Sequence, residues 1–257
     1  MPDLTFPAVV STLRAAGCVY AEDEARLLLD AADSPANLEE MIGRRVAGEP
    51  LEYVVGWAEF CGQRIFVEPT VFVPRRRTEF LVRTALPLLS PGAVAVDLGC
   101  GSGAIGKALM SSVEGIDLYA VDIEPAAVRC ARRNLGYDAH VFEGDLYEAL
   151  PPTIRGRVDL LAVNAPYVPS DEVRLMPPEA RLWEARVTLD GGPDGLDIQR
   201  RVTADAGEWL SPGGCLLIET SERQAPDTVA ASRRGGLETE VVHDDELSAT
   251  VVIGRKP

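Results

Sequence analysis

Residues 159–170, with the sequence DLLAVNAPYVPS, join an apolar run to a polar and aromatic corner. The run 160–163 predicts a buried strand, and the corner that follows is Asn164, Ala165, Pro166 and Tyr167. The Asn164 side-chain oxygen and the Ala165 carbonyl oxygen are two acceptors that can hold both hydrogens of a planar NH₂ group. Such a nitrogen is a weak nucleophile because its lone pair is delocalised. A site that orients it and increases its electron density therefore promotes group transfer.

The rest of the corner suits the same chemistry. Pro166 fixes the turn and keeps the preceding residue extended, while Tyr167 offers a flat wall to a planar group. We therefore predict that all four residues, Asn164, Ala165, Pro166 and Tyr167, are catalytic and substrate-binding. Taken alone, these residue types also fit a capped strand end followed by an ordinary Pro-Tyr turn.

A glycine-rich turn lies upstream, in the stretch VAVDLGCGSGAIGKAL at 94–109. Its GxGxxG pattern occurs both in NAD enzymes and in S-adenosylmethionine (SAM) enzymes. Asp97 favours SAM, because a carboxylate before the turn repels a pyrophosphate and attracts the ammonium and sulfonium groups of SAM. A plain tight turn is the remaining alternative. The predicted SAM-binding residues of this segment are Asp97, Gly99, Cys100, Gly101, Ser102 and Gly103.

The ends of the next predicted strands complete the expected cofactor site. Asp122 and Ile123 end the strand in YAVDIEP, where a carboxylate can accept hydrogen bonds from ribose hydroxyls. A helix-capping role is the alternative for Asp122. Asp145 and Leu146, after the following strand, are expected to border the adenine. Asn164 is then expected to lie beside the methyl donor.

Composition limits the class of protein. The chain has 257 residues, 46% of them hydrophobic, and contains no apolar run near the roughly 20 residues of a membrane span. Its start lacks the pattern of a signal peptide, which favours a cytoplasmic location. The net charge of −15 disfavours stable nucleic acid binding and favours a basic partner surface. The five cysteines are scattered and the two histidines isolated, so we expect neither a metal site nor disulfides.

Three segments differ in pattern. Residues 4–48 predict three short amphipathic helices, the third capped by Ser34 and starting at Pro35, so we predict a small helical domain over 1–48. Residues 49–77 predict a β-hairpin connector whose clearest part is RIFVEPTVFV at 64–73. Residues 78–257 are predicted to form the catalytic domain.

Helices and strands alternate through this last segment, which predicts a doubly wound α/β sheet. Ligands of such sheets bind outside the carboxyl ends of the strands. The predicted strands are 93–99, 117–123, 139–144, 158–164, 213–220 and 247–256, and the predicted helices are 78–89, 104–112, 125–136, 194–210 and 225–236.

The chain resembles the protein-(glutamine amide) methyltransferases typified by the release-factor methyltransferase HemK/PrmC. The resemblance rests on the connector, DLGCGSGAIG, AVDI, NAPY and EARVTLDGGPDGLD. It implies a seven-stranded, Rossmann-like class I SAM-dependent methyltransferase domain. It further implies that the small helical bundle before this domain, residues 1–48, is a substrate-recognition domain. It also implies SAM-dependent N5-methylation of a glutamine in the Gly-Gly-Gln tripeptide of peptide release factors, or of a ribosomal protein in a sister group. By this resemblance Asn164 and the Ala165 carbonyl hold the glutamine amide, and Tyr167 packs against it.

Two departures from the family pattern suggest a divergent branch. The family has Asn-Pro-Pro-Tyr where this chain has Ala165 in second place, which keeps the carbonyl but loses one rigid ring. The family also has Pro-Arg-Pro-Asp-Thr-Glu where this chain has PRRRTE. Arg75 is retained, and Arg76 and Arg77 are the departures. We predict that Arg75 binds the substrate and that Arg75 to Arg77 attract an acidic substrate segment. A solvated face or local ion pairs are the alternative.

Three other functions compete with glutamine methylation of a protein. The first is N-methylation of an exocyclic base amine on nucleic acid, which uses a similar corner but which the net charge disfavours. The second is a non-catalytic SAM-binding module in which Ala165 marks decay of the site. The third is methylation of a small molecule, which the helical N-terminal segment disfavours. A monomer is expected.

Overall fold

The computed structural model describes residues 4–257, and its first helices enclose an apolar core of their own. Val9, Leu13 and Leu28 are buried in that core. The Ser34 hydroxyl accepts a hydrogen bond from the Asn37 backbone N–H at 3.2 Å, which is the cap that the sequence predicts. A fourth, short helix was not predicted. The helices are α1 (Phe6–Ala15), α2 (Ala21–Ala31), α3 (Pro35–Val46) and α4 (Leu51–Val55).

The connector forms a hairpin that is shorter than its sequence suggests. Strands β1 (Trp57–Phe60) and β2 (Gln63–Phe66) pair antiparallel. Cys61 and Gly62 make the two-residue turn, both with positive φ (50° and 70°), as such hairpin turns require. The second strand therefore ends inside the predicted segment 64–73.

The end of that segment is fixed by other parts of the chain. Pro69 has no N–H to give to a strand partner. The Tyr53 hydroxyl donates a hydrogen bond to the Val71 carbonyl at 2.6 Å, and Thr70 forms an isolated parallel bridge with Glu184. The connector thereby runs along the segment that follows the Asn-Ala-Pro-Tyr corner.

A seven-stranded mixed sheet confirms the doubly wound class. Its strands are β3 (Val94–Leu98), β4 (Asp117–Asp122), β5 (Ala139–Glu143), β6 (Val158–Val163), β7 (Leu210–Thr220), β8 (Glu238–Asp244) and β9 (Ala249–Arg255). Their spatial order is β5-β4-β3-β6-β7-β9-β8. All neighbours pair parallel except β7 with β9 and β9 with β8. The strand order reverses between β3 and β6, which is where ligands of such sheets bind.

Helices cover both faces of this sheet. Leu160 packs into the apolar core on one face and its neighbour Leu161 into the core on the other, as alternation along a strand requires. Among residues 4–257, no helix is long and apolar enough to cross a membrane. The helices are α5 (Glu79–Ala85), α6 (Ala104–Ser112), α7 (Pro125–Leu135), α8 (Pro178–Trp183), α9 (Asp197–Trp209) and α10 (Ala225–Arg234).

Candidate active site

A cavity of about 340 Å³ opens at the carboxyl ends of β3, β4 and β6, and its wall is largely apolar. This volume lies within the range of about 300–1,000 Å³ that small-molecule sites occupy. Most of the residues predicted from the sequence line it: Gly99, Cys100, Gly101, Ser102, Asp122, Ile123, Asp145, Leu146, Asn164, Ala165, Pro166 and Tyr167. Asp97, Gly103 and Arg75 do not line it.

The glycine turn between β3 and α6 needs glycine for its backbone conformation. Gly99 and Gly101 have φ of 76° and 53°, and a Cβ on either would meet no atom within 4 Å. The backbone N–H groups of Gly99 and Cys100 donate to the Val121 carbonyl at 2.8 and 2.9 Å, which ties the turn to β4. The turn is therefore fixed in shape while its open side faces the cavity.

Gly103 lies next to the glycine turn but outside the cavity wall. A Cβ at this residue would lie 3.2 Å from the Ala131 Cα and from Leu135. The glycine thus allows α6 to begin close against α7. It positions the turn and does not form part of the cavity wall.

Asp122 links the glycine turn to the next loop. Its Oδ2 accepts a hydrogen bond from the Gly101 N–H at 2.7 Å, and its Oδ1 accepts one from the Glu124 N–H at 2.9 Å. Burial is the main cause that raises the pKa of this carboxyl. Each oxygen keeps a second lone pair, so the carboxylate can brace the turn and still accept ribose hydroxyls.

The predicted adenine region combines apolar and charged side chains. Ile123 and Leu146 lie in the cavity wall, together with Ile198 from α9. Asp145 forms an ion pair with Arg201, which also lies on α9, with 2.8 Å between the Asp145 Oδ2 and the Arg201 Nη2. The sequence did not identify the two α9 residues, because nothing in their local pattern marks them as facing a strand end.

Asp97 lies behind the glycine turn and is fully buried. Its Oδ2 accepts a hydrogen bond from the Gly106 N–H at 2.9 Å, and its Oδ1 has no hydrogen-bond partner among the described residues. Burial raises the pKa of this carboxyl to about 7. A buried carboxyl with an unpartnered oxygen disfavours a phosphate in front of the turn and suits a cationic group, because a nearby positive charge favours its ionised form. The residues present therefore fit SAM. Because Asp97 lies behind the turn, its position does not support direct contact with the ammonium group of SAM.

The position of Asp97 predicts a pH-dependent stability. Because the pKa is higher in the folded chain than in the unfolded chain, stability is greatest below about pH 4 as far as this group is concerned. The contribution of Asp97 to the free energy of unfolding is lost as the pH rises toward about 7. The loss is about 1.4 kcal/mol for each unit by which the two pKa values differ. We expect Asp97→Asn to remove this loss. Thermal unfolding of the variant and of wild type, without SAM and from pH 5 to 8, measures this difference. Melting temperatures that change with pH in the same way in both proteins would refute the prediction.

The Asn-Ala-Pro-Tyr corner lines the cavity and has two acceptor oxygens without a hydrogen-bond partner among the described residues. The Asn164 Nδ2 donates a hydrogen bond to the Thr78 hydroxyl at 3.1 Å, which fixes the orientation of the side-chain amide and leaves Oδ1 available. The Ala165 residue is buried in the cavity wall, and its carbonyl oxygen has no hydrogen-bond partner among residues 4–257. Thr78 was not predicted as a site residue, although it lies in the motif PRRRTE.

A glycine-rich segment supports the corner from behind. A Cβ at Gly191 would lie 2.7 Å from the Pro166 carbonyl oxygen, and one at Gly195 would lie 2.3 Å from the Tyr167 carbonyl oxygen. The Gln224 Nε2 also donates a hydrogen bond to that Tyr167 oxygen at 2.9 Å. The sequence DGGPDGLD contributed to the family resemblance, but its contact with the corner is visible only in the fold.

We expect Gly195→Ala to displace the corner and to lower both stability and turnover. A side chain at this position cannot avoid the Tyr167 carbonyl, and overpacking of this kind costs about 1–3 kcal/mol. Gly213→Ala is the matched control, because Gly213 has nearly the same φ (79° against 78°) and no atom within 4 Å of an added Cβ. Equal losses of melting temperature and turnover in both variants would show that the contact with the corner is unimportant.

The three connector arginines differ in their surroundings. Arg75 forms an ion pair with the buried carboxylate of Glu184. This is the local ion pairing that was the alternative to substrate binding. Arg76 is exposed and has no ion pair among the described residues. Arg77 lines the cavity, with its guanidinium 5.6 Å from the centre of the Tyr167 ring.

No group of three or more His, Cys, Asp or Glu residues within 4–257 is arranged to hold a metal ion. All five cysteines are free thiols. The polar groups of the residues that line the cavity are carboxylate, amide, hydroxyl, thiol, guanidinium and backbone groups.

Sequence comparison places this site among methyltransferases. Residues 69–230 match the family model described as methyltransferase small domain. The release factor glutamine methyltransferase of Geobacter sulfurreducens is 38% identical over 213 residues, which is 79% of this chain and 74% of the relative. The enzyme of the same name from Koribacter versatilis is 35% identical over 233 residues, 88% of this chain and 81% of the relative.

Solved structures share the fold at low sequence identity. A methyltransferase from Pyrococcus furiosus has a TM-score of 0.58 and 15% identity, over 86% of this chain and 98% of that chain. A ribosomal protein L11 methylase from Lactobacillus delbrueckii subsp. bulgaricus has a TM-score of 0.54 and 15% identity, over 78% of this chain and 91% of that chain. These likenesses support the sheet architecture described above.

Proposed function

Because this chain belongs to the release factor glutamine methyltransferase family, we propose that it methylates the side-chain amide nitrogen of a glutamine in a peptide release factor, with SAM as donor. The observation that carries the proposal is the corner itself. Thr78 holds the Asn164 amide so that Oδ1 is available, and the Ala165 carbonyl in the same wall is a second acceptor. Two such acceptors match the two hydrogens of a primary amide.

The cofactor side of the cavity is formed by the glycine turn and the ends of β4 and β5. Gly99 and Gly101 shape the turn, Asp122 offers acceptors for ribose hydroxyls, and Ile123 and Leu146 offer apolar surface to the adenine. When bound, SAM supplies an electrophilic methyl group on a sulfonium. The orphaned oxygen of Asp97 behind the turn is consistent with that positive charge.

The chain's own residues act mainly by positioning. Asn164 Oδ1 and the Ala165 carbonyl accept the two amide hydrogens, which places the nitrogen and increases its electron density. Pro166 fixes the turn, and Tyr167 bounds the plane of the amide. Orientation of this kind supplies most of the rate for a direct displacement. No general base is required at the nitrogen, because the proton leaves readily once the nitrogen carries the methyl group and a positive charge.

A protein substrate is supported by the surface beside the cavity. The half-exposed Val187 lies in the cavity wall, and Leu175 and Leu182 are exposed large apolar side chains of the same segment. Exposed apolar side chains on a segment that borders a site suit contact with a protein. The net charge of −15 suits a basic partner surface and disfavours stable nucleic acid binding.

Location and assembly belong to the same proposal. A release factor acts in the compartment of translation, so we infer that the chain works in the cytoplasm. Residues of a single chain line the cavity on the β3, β4 and β6 sides and at the connector, and we therefore infer that the enzyme acts as a monomer.

Transfer of a radiolabelled methyl group tests the proposal. The purified chain and labelled SAM are incubated in three separate reactions, with a bacterial release factor, with a ribosomal protein or with transfer RNA. We expect label on the release factor, at a glutamine side chain. Label on nucleic acid alone would indicate an exocyclic base amine as the target. SAM binding without turnover on any of the three would contradict an active release factor methyltransferase.

A further inference from the structure

We propose that Glu219 is a positioning residue for methyl transfer, because it fixes both ends of the Asn-Ala-Pro-Tyr corner. It acts on Asn164 through the Thr78 hydroxyl, and it acts directly on the Tyr167 hydroxyl. The inference rests on the proposed function, since it assigns a further residue to the same reaction.

The sheet places Glu219 beside the corner. Strands β6 and β7 are parallel with Val163 opposite Ile218, so the next residues along each strand, Asn164 and Glu219, are also neighbours. Glu219 is only 2% exposed. It does not line the cavity, so it reaches the substrate only through other side chains.

Two side chains of the cavity wall meet one oxygen of Glu219. The Tyr167 hydroxyl donates a hydrogen bond to Oε1 at 3.4 Å, and Arg77 Nε lies 3.3 Å from the same oxygen. The Arg77 guanidinium also lies over the Tyr167 ring. The buried carboxylate therefore has a cationic partner, and its position fixes the direction of the ring that bounds the substrate.

Thr78 transmits the effect to Asn164. It is 3% exposed and accepts a hydrogen bond from the Asn164 Nδ2. A hydroxyl that accepts from an amide must direct its own hydrogen to another acceptor. Burial raises the pKa of the Glu219 carboxyl, and the Thr78 side chain is among the groups that lower it. The Glu219 Oε2 is buried and has no hydrogen-bond partner among the described residues, so it is the open acceptor assigned to the Thr78 hydrogen.

The direction of this chain of contacts explains why a carboxylate is suited to the position. An ionised carboxylate only accepts hydrogen bonds, so Thr78 must donate to it and accept from Asn164. The Asn164 amide is then held with Nδ2 toward Thr78 and Oδ1 toward the substrate. A side chain that can also donate would let the hydroxyl turn and would allow the amide to flip.

Glu219→Gln tests this directionality with little change of shape. We expect kcat to fall about tenfold or more, as expected for a misoriented amide acceptor, while SAM affinity and the KM for the release factor stay within a few-fold. Thr78→Val should have the same effect, and Thr78→Ser, which restores the hydroxyl, should recover most of the rate. Thr203→Val is the matched control, because Thr203 is 1% exposed and the hydrogen bond of its hydroxyl goes to the Arg200 carbonyl of its own helix.

A second readout does not depend on turnover. In ¹⁵N-labelled protein, the Asn164 side-chain NH₂ signals are assigned by their loss in Asn164→Ala. We expect these signals to shift in Glu219→Gln and in Thr78→Val, and not in Thr203→Val. If Glu219→Gln does not fold, Glu219→Asp, which withdraws the carboxylate from Thr78 and Tyr167, carries the test, and unmoved NH₂ signals in it overturn the role.

The outcomes separate this inference from the proposed function. A wild-type chain that transfers no methyl group to a release factor refutes the proposed function, and the NH₂ signals alone then decide whether Glu219 orients Asn164. An active wild type with unchanged kcat in Glu219→Gln, or with unmoved NH₂ signals, overturns the positioning role. A fall in SAM affinity equal to the fall in kcat would also overturn it, since it would indicate general loosening of the site.

Discussion

Asn164→Ala should abolish methyl transfer while leaving the affinity for SAM within a few-fold of wild type. The substitution removes the side-chain acceptor for the substrate amide and the partner of the Thr78 hydroxyl. Since catalysis here consists mainly of orientation, loss of one of two acceptors should lower kcat by about 100-fold or more. The glycine turn and Asp122 do not depend on Asn164, so the cofactor side of the cavity should be unaffected.

Radiolabel transfer to a release factor gives the rate, and isothermal titration gives the affinity for SAM. Asn37→Ala is a control for loss of an asparagine side chain, because Asn37 lies on α3 and does not line the cavity. Persistent turnover in Asn164→Ala would show that the corner does not hold the reacting amide.

Asp122→Ala should weaken SAM binding by about 1–3 kcal/mol, the range for loss of hydrogen bonds to a charged group. The structure gives two reasons for the loss. The carboxylate is the expected acceptor for ribose hydroxyls, and it also accepts the Gly101 N–H that holds the glycine turn. We expect Asp122→Asn to be intermediate, because the amide retains one acceptor oxygen.

Isothermal titration with SAM measures this effect. Glu143→Ala is the matched control, because Glu143 pairs with Asp122 across β4 and β5 but is exposed and does not line the cavity. It removes the same charge from the neighbouring strand. An affinity for SAM that is unchanged in Asp122→Ala, or equally reduced in Glu143→Ala, would contradict the ribose assignment.

The order of elements followed from the sequence because buried parallel strands are continuous apolar runs. The runs that became β3 and β6 are flanked by turn residues, so both their type and their position were predictable. Strand β8 was not identified as a separate element. Its sequence, ETEVVHD, is charged at alternate positions because it lies at the edge of the sheet, where side chains meet solvent.

Site residues were predictable from the sequence where several of them lie together in one short motif. The glycine turn, the end of β4 and the Asn-Ala-Pro-Tyr corner are each local motifs, and the fold brings them to one cavity. Residues that act through tertiary contact carried no such signal. Thr78, Glu219 and Gly195 come from distant parts of the chain, and each meets the corner only after the sheet has formed.

Charged residues were the hardest to interpret from sequence. Arg75 in PRRRTE looked available for an acidic substrate, but its partner Glu184 lies 109 residues away in the chain. Asp97 was predicted to face the cofactor, but it bonds to Gly106 behind the turn. Ion pairs and buried carboxylates are decided by packing between segments, which spacing along the chain does not reveal.

A crystal structure of this chain with S-adenosylhomocysteine and a glutamine-containing release factor peptide tests the central claim most directly. We expect the glutamine NH₂ to donate to the Asn164 Oδ1 and to the Ala165 carbonyl oxygen, with its nitrogen pointing toward the cofactor sulfur. A glutamine bound away from the corner, or a cofactor bound away from the glycine turn, would contradict the account.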